Sequence, residues 1–242
     1  MENQSVFMDL QMGPMLIGVV FMIIGMFVAF RLRSKFAQYS QTPISNRMSG
    51  KEIAEKMLRD HNIFDVKVIS VEGELTDHYN PAHKTVNLSR AVYEGRNAAA
   101  AAVAAHECGH AVQHAVAYKP LKMRSALVPL QQVSGTILNI ILLAAIFGGA
   151  FFYSAFPINT MLYIIIGCYA FFTLFSLVTL PVEFDASKRA LNWMTSTGIT
   201  NQREYENAKD ALKWAALTYV VAAIGSIATL LYYVSLLSRS DD

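Results

Sequence analysis

Four long apolar runs restrict the fold of this chain more than any other feature. Each has about the twenty residues that a helix needs to cross a bilayer, and the runs cover residues 12–30, 135–156, 161–181 and 215–237. One such run could be a buried core helix, but four of them, in a chain that is 54% hydrophobic and only 16% charged, favour membrane spans. The sequence therefore predicts a mainly α membrane protein with four transmembrane helices.

Basic residues predict how these spans are oriented. Arg31, Arg33 and Lys35 follow the first run directly, and Lys and Arg are enriched on the cytoplasmic side of membrane proteins. With the N-terminus outside, residues 31–134 and 182–214 face the cytoplasm, and these segments hold nineteen of the twenty Lys and Arg residues. Acidic rather than basic residues precede the first run, so we expect it to remain as an anchor and not to be cleaved as a signal peptide. The expected location is the inner (plasma) membrane, with multiple passes.

A helical motif with metal-ligand spacing lies between the first two spans. Residues 104–114 read AAHECGHAVQH, which contains the pattern His-Glu-x-x-His. Asn97 is a suitable N-cap, and the alanine-rich stretch after it predicts a helix through the motif. On one helix, residues four apart share a face, so His106 and His110 can bind one metal ion while Glu107 faces its open side. The pattern predicts one zinc ion, with Glu107 as a general base.

The motif helix has a rival interpretation as a membrane-embedded segment. Residues 98–117 form a run whose apolar members are mostly alanine and which includes three histidines, one glutamate and one glutamine. Alanine is a weakly apolar residue, and polar side chains are costly inside a bilayer. A helix in a cytoplasmic subdomain is therefore favoured, with the active site facing the cytoplasm. Cys108 occupies a variable position of the motif and is expected to pack in the helix interface rather than to bind metal.

A small sheet is expected before the motif helix. An amphipathic helix begins after Ser49 and runs to about residue 61, and strands are expected at residues 66–71, 75–79 and 84–88. The last two strands are joined by residues 80–83, whose composition is that of a hairpin turn. An edge strand beside the metal can bind a peptide substrate as an additional strand. The expected edge strand is formed by Thr85, Val86, Asn87 and Leu88.

The third zinc ligand must come from outside the motif, since a catalytic zinc normally has three protein ligands and one open position. Glu183 is best placed, because it follows Pro181 at the start of an expected helix on the same side of the membrane. The alternative is that Glu183 only places a favourable charge at that helix N-terminus. Asp185 is the runner-up, but it would face elsewhere. His114 would put three ligands in a row along one helix, so we expect it beside the metal site or at the surface.

Three separate stretches together resemble one known family. AAHECGHAVQH, LTDHYNPAHKTVNLS and LPVEFDASKRAL are similar to segments of the bacterial membrane-bound neutral zinc metallopeptidases of the YugP type, and the resemblance extends over nearly the whole chain. More distantly, the chain resembles the membrane gluzincins, the HtpX and CaaX-prenyl-protease relatives. The resemblance implies a zincin-like α+β catalytic subdomain in which a glutamate on a later helix, here Glu183, completes the site. The distant relatives typically carry an aspartate four residues later, where this chain has Ser187.

The implied reaction is hydrolysis of peptide bonds by a water that zinc activates. Glu107 takes the proton of that water and returns it to the leaving amine. A donor to the developing oxyanion is also expected, and the sequence leaves four candidates open: His78, Tyr79, His83 and Arg189. Three further residues are expected around the metal and its ligands: His114, Asp185 and Ser187. The expected partners are protein or peptide substrates and the lipid bilayer, and no basic cluster with interleaved aromatics indicates nucleic acid.

The predicted function is a membrane-anchored zinc endopeptidase that acts at the cytoplasmic membrane face. The alternative is a non-hydrolytic metal-binding membrane assembly or scaffold protein, which would need closed coordination but no general base. A transporter is disfavoured because the four apolar runs contain no charged residue. We expect five segments. They are an anchor (residues 1–31), the zincin-like subdomain (32–126), two spans (127–181), cytoplasmic helices with the third ligand (182–214) and a final span (215–242).

Overall fold

The computed structural model describes the backbone of residues 2–240 and the side chains of these residues except 2–11, 149–155 and 240. Within this range the chain forms seven helices and three strands. In order they are α1 (Glu2–Ser40), α2 (Gly50–Asp60), β1 (Lys67–Val71), β2 (His78–Asn80), β3 (Thr85–Ser89), α3 (Arg90–Tyr93), α4 (Ala98–Ala115), α5 (Lys119–Ala155), α6 (Ile158–Ser196) and α7 (Gln202–Ser240).

Four of the described helices are long and apolar enough to cross a membrane. Their most apolar windows have mean hydropathies between 1.7 and 2.5, and the candidate spans are Met12–Ser40, Lys119–Gly148, Ile158–Ser196 and Gln202–Arg239. The motif helix α4, although described in full, does not belong to this group. The predicted fold class is therefore confirmed: the protein is a mainly α membrane protein with four candidate spans and a small α+β part.

The long helices do not end where the apolar runs end. Helix α6 continues without a break through Pro181, so the prediction that a new helix starts after Pro181 is wrong. Proline removes one backbone hydrogen bond, but a long membrane helix tolerates this loss when neighbouring groups satisfy the freed carbonyl. Helix α7 likewise begins at Gln202, well before the apolar run at residues 215–237. Glu183 consequently lies on the same continuous helix as the third span.

The chain divides into two compact units. The motif unit comprises Phe27–Lys122 and Leu180–Thr218, and the bundle unit comprises Met1–Met26, Met123–Thr179 and Tyr219–Asp242. The motif unit contains the sheet, α2, α3, α4 and the adjoining parts of the long helices. The bundle unit has its own buried cluster, formed by Leu162, Ile165, Tyr233 and Leu236.

The sheet of the motif unit has the strand order β1-β3-β2. Strand β3 pairs in parallel with β1, from Lys67 opposite Thr85, and antiparallel with β2, from His78 opposite Asn87. Three strands and the hairpin turn are present as predicted, although β2 begins at His78, three residues later than expected. The prediction of an edge strand at Thr85, Val86, Asn87 and Leu88 is wrong. These residues form the central strand, because β1 crosses over to the side of β3 that the β2 hairpin leaves free. The edges of the described sheet are β1 and β2.

Short side chains on α4 let other elements of the motif unit pack closely around it. Asn97 caps the helix as predicted, by accepting a hydrogen bond from the Ala100 N–H at 2.8 Å. Ser49 and Glu52 form a capping box at the start of α2. The shared core joins α2, β3 and α4 and includes Ile53, Met57, Val86, Leu88, Ala101, Ala104 and Ala105. Helix α4 is accordingly a buried support for the motif.

Candidate metal centre

Three ligand-type side chains meet where α4 passes α6. Nε2 of His106 lies 3.4 Å and Nε2 of His110 lies 3.6 Å from the same carboxylate oxygen, Oε2 of Glu183. The ligand atoms of the three residues all lie within 4.8 Å of one another. Glu183 is only 3% exposed. The structure therefore brings together the three residues that the sequence proposes as zinc ligands.

The distances from Glu183 to the two histidines suit a zinc ion. Nitrogen and oxygen ligands that surround zinc tetrahedrally at about 2.0–2.2 Å are separated from one another by about 3.3–3.6 Å. The two distances to Glu183 fall at this spacing. A carboxylate buried to this extent also needs a positive charge beside it, since an uncompensated buried ion costs several kcal/mol. Two imidazoles and one carboxylate are, in addition, a ligand set that zinc uses in catalytic sites.

The pKa of His110 reflects the negative character of the cluster. Burial acts to lower this pKa, but the nearby carboxylates of Glu183, 3.6 Å from Nε2, and Glu107 outweigh burial, so the pKa of His110 is raised from its ordinary value. The surrounding carboxylates thereby favour positive charge at the position where the three ligand atoms meet.

Gly109 permits the close approach of the two helices. A Cβ atom at this position would lie 2.6 Å from the main-chain oxygen of Ala186 on α6. Ala186 is itself completely buried. The backbones of α4 and α6 are therefore in contact one residue before His110. This close approach places Glu183 of α6 beside the motif histidines. Gly109 was not singled out from the sequence, although a glycine within an otherwise alanine-rich helix is a signal of close packing.

Ser187 contacts the first motif histidine. Its Oγ lies 3.1 Å from Nδ1 of His106, the ring nitrogen that faces away from Glu183. A side chain that binds the second ring nitrogen of a ligand histidine fixes the orientation of the ring. The serine at this position therefore makes a contact with the histidine even though it lacks the carboxylate of the distant relatives.

Gln113 contacts the second motif histidine and was not singled out from the sequence. Its Oε1 lies 3.1 Å from Nδ1 of His110, and its Nε2 donates to the Val182 carbonyl and to Oδ2 of Asp185, both at 2.8 Å. Asp185 also accepts from Nε of Arg189 at 2.6 Å. The structure does not bring Asp185 into the ligand cluster. No local pattern in the sequence could have identified this glutamine, because its contact with Val182 spans 69 residues of the chain.

Glu107 is held against β2 and lies outside the ligand cluster. Its Oε2 accepts a hydrogen bond from the main-chain N–H of Tyr79 at 2.9 Å, and the residue is 8% exposed. Tyr79 belongs to the edge strand, so this bond joins the sheet directly to the motif helix. The carboxylate is thereby fixed beside the free edge of β2.

The predicted residues Tyr79, His114, His78 and His83 lie outside the ligand cluster. The Tyr79 hydroxyl contacts Nδ1 of His114 at 2.7 Å, and His114 is exposed and outside the ligand cluster. His78 and His83 are exposed, and Nδ1 of His78 contacts the Thr76 carbonyl at 2.8 Å. Of the four candidate oxyanion donors, Tyr79 is the one whose main-chain N–H donates to Glu107.

Cys108 packs in the core as expected. Its thiol donates to the Ala54 carbonyl of α2 at 3.5 Å. Burial raises the pKa of the Cys108 thiol well above its ordinary value. The thiol therefore faces α2 and does not belong to the ligand cluster.

Comparison with known proteins identifies the family. Residues 14–238 match the family described as "Putative neutral zinc metallopeptidase". The chain belongs to this family. It is also 37% identical over 214 residues to "Putative membrane protease YugP" of Bacillus subtilis (strain 168), and this similarity covers 88% of the chain and 91% of that protein. No solved structure matches the chain.

Membership of the neutral zinc metallopeptidases confirms the resemblance and the predicted enzyme class. The protein is a zinc metallopeptidase with four candidate membrane spans. Zinc is the metal that the family implies, and the cluster of His106, His110 and Glu183 is the group of described residues that could hold it.

Gly109→Ala tests whether the helix contact in this metallopeptidase forms the cluster. Alanine favours the helix by about 1 kcal/mol, but its Cβ would meet the Ala186 oxygen at 2.6 Å, and overpacking of this kind costs about 1–3 kcal/mol. We expect lower thermal stability and weaker zinc binding, because Glu183 moves away with α6. Thermal unfolding and a zinc titration of the purified protein measure both effects.

Gly167→Ala is the matched control on α6, because a Cβ there meets nothing within 4 Å. This variant should bind zinc like the unmodified protein. Unchanged zinc binding by Gly109→Ala would contradict the importance of the helix contact.

Proposed function

We propose that this metallopeptidase is a zinc endopeptidase of the inner (plasma) membrane that cleaves proteins or peptides at the cytoplasmic face. The main observation in support of this proposal is that the carboxylates of Glu183 and Glu107, both near His106 and His110, occupy separate positions. Glu183 lies within the ligand cluster, whereas Glu107 is bound to β2 through the Tyr79 N–H. One carboxylate is therefore placed to bind a metal and the other to transfer protons.

The proposed roles follow from this placement. His106, His110 and Glu183 hold one zinc ion, which supplies the Lewis acidity that activates water and polarises a peptide carbonyl. Glu107 takes a proton from the attacking water and delivers it to the leaving amine. The 2.9 Å bond to Tyr79 keeps the Glu107 carboxylate away from the ligand cluster. Three protein residues would therefore hold the ion, the number that catalytic zinc sites use.

Strand β2 is the proposed binding strand for the substrate, in place of β3. One side of β2 pairs with β3, and the Tyr79 N–H on the other side faces Glu107. The N–H and C=O of one strand residue point to the same side, so the Tyr79 carbonyl also faces the free edge. An extended peptide added along this edge would pass beside Glu107. Main-chain binding of an extended segment suits cleavage within a polypeptide.

The basic residues support the cytoplasmic orientation. Residues 31–134 and 182–214 hold nineteen of the twenty Lys and Arg residues, and both segments contribute to the motif unit. By the positive-inside rule, both chain termini lie outside the cytoplasm and the metal centre lies inside.

Reporter fusions test this orientation. A phosphatase that is active only in the periplasm should be active when fused to the C-terminus and inactive when fused after Ser125, because three predicted spans separate these two positions. Phosphatase activity is measured in intact cells, with an immunoblot to show that both fusions are made. The reverse pattern of activity would move the metal centre outside the cytoplasm.

Glu107→Gln tests the proposed function. Glutamine keeps the size of the side chain but removes its basicity, so we expect proteolysis to fall by about two to four orders of magnitude. Zinc content should remain unchanged, since Glu107 lies outside the ligand cluster. Casein or membrane-protein cleavage and metal analysis are measured on the same preparation. Glu206→Gln, an exposed glutamate paired with Lys209 at 4.0 Å, is the matched control and should cleave normally.

The outcomes separate the enzyme from its alternatives. A Glu107→Gln variant with the proteolytic activity of the unmodified protein would contradict the assignment of Glu107 as the general base. Loss of zinc from this variant would make Glu107 a ligand. A Glu107→Gln protein that supports the whole cellular role would favour the non-hydrolytic assembly or scaffold protein.

A further inference from the structure

The Gln113 side chain is fully buried on α4, and the proposed reaction gives it no role. It is 0% exposed. Its Nε2 contacts two groups on α6, the Val182 carbonyl and the Asp185 carboxylate, each at 2.8 Å. Both groups can only accept hydrogen bonds, and an amide nitrogen has two hydrogens to donate. These two contacts therefore fix which end of the amide is nitrogen.

The fixed amide determines the state of His110. Oε1 of Gln113 can only accept, so Nδ1 of His110 at 3.1 Å must be the nitrogen that carries a hydrogen. In a neutral imidazole the other nitrogen then has a free electron pair. That nitrogen, Nε2, is the one directed at Glu183, at 3.6 Å. Gln113 thereby selects the tautomer of His110 that can bind a metal.

The Gln113 amide is hydrogen-bonded to a charged side chain, the carboxylate of Asp185. Asp185 accepts from Gln113 and also from Nε of Arg189, at 2.6 Å. A carboxylate that accepts from the amide nitrogen makes the amide oxygen a stronger acceptor, because hydrogen bonds in a chain polarise one another. Ligand histidines usually donate to a carboxylate, a carbonyl or water, and such partners raise the basicity of the ligand.

The other histidine lacks such a selective partner. The group at Nδ1 of His106 is the Ser187 hydroxyl, at 3.1 Å. A hydroxyl can donate or accept, so it is compatible with either tautomer of the ring. The contacts on the two histidines are therefore unequal, and only the amide on His110 enforces the metal-binding form.

We propose that Gln113 is a positioning residue for the metal, which holds His110 in its Nδ1-protonated form and connects this ligand through Asp185 to Arg189. The inference rests on the proposed metal centre. It assigns to Gln113, Asp185 and Arg189 an effect on zinc affinity that is separate from their effect on folding.

The experiment measures the zinc dissociation constant of the purified full-length protein by competition with a chelator. Gln113→Leu removes both polar atoms at similar volume and should weaken zinc binding by about 10–100-fold. Asp185→Asn keeps an acceptor for Gln113 but loses its charge, so we expect a smaller loss of about 3–10-fold. With cobalt(II) in place of zinc, the visible absorption spectrum of Gln113→Leu should also change, because the orientation of one ligand is no longer fixed.

Glu204→Gln is the matched control for a general loss of buried hydrogen bonds. Glu204 is 3% exposed and accepts from the N–H groups of Ser45 and Asn201, at 2.8 and 2.9 Å. It belongs to the motif unit but not to the ligand cluster. This variant should unfold at a lower temperature in its metal-free form while its zinc dissociation constant and cobalt spectrum stay unchanged.

The outcomes decide the inference independently of catalysis. Weaker zinc binding by Gln113→Leu and Asp185→Asn, with normal binding by Glu204→Gln, supports it. Unchanged zinc binding by Gln113→Leu overturns it and leaves Gln113 as a contact between helices only. If Gln113→Leu does not fold, unchanged zinc binding by Asp185→Asn overturns it instead. Unmodified protein that binds no zinc would refute the proposed metal centre itself, which is a distinguishable failure.

Discussion

A carboxylate buried between two imidazoles is the constraint on which the motif unit depends. Oε2 of Glu183 lies 3.4 and 3.6 Å from the two histidine Nε2 atoms. Removing such a charge from water costs several kcal/mol unless positive charge compensates it. The arrangement also requires α6 to reach α4 at the level of the backbone, which Gly109 allows. A position that favours a cation follows directly from how these two helices pack.

Each polar side chain near this position, namely His106, His110 and Glu107, is held by a separate contact. Ser187 reaches His106, Gln113 reaches His110, and the Tyr79 N–H reaches Glu107. These contacts come from α6, α4 and β2. Buried polar groups are costly unless they are hydrogen-bonded, and apolar residues would have filled the same space without that cost. The alanine-rich remainder of α4 offsets it, because short side chains allow dense packing with α2 and β3.

Local patterns account for the elements that the sequence predicted correctly. The four spans, the Asn97 cap and the three strands depend on composition and periodicity within a few residues. The order in which strands pair does not depend on such local patterns, so β3 was expected at an edge of the sheet and lies at its centre. Gln113 was missed because its burial depends on Val182, 69 residues later in the chain. Glu183 was proposed from the need for a third ligand and from the family resemblance, since no local pattern distinguishes a third ligand from a charge at a helix start.

X-ray absorption at the zinc edge of the purified protein tests the central claim most directly. One zinc per chain should have only nitrogen and oxygen neighbours, at about 2.0–2.2 Å, with the outer scattering of two imidazoles. No sulfur should contribute, because the Cys108 thiol contacts the Ala54 carbonyl of α2 and lies outside the ligand cluster. A sulfur neighbour at about 2.3 Å, or a single imidazole, would contradict a site formed by His106, His110 and Glu183.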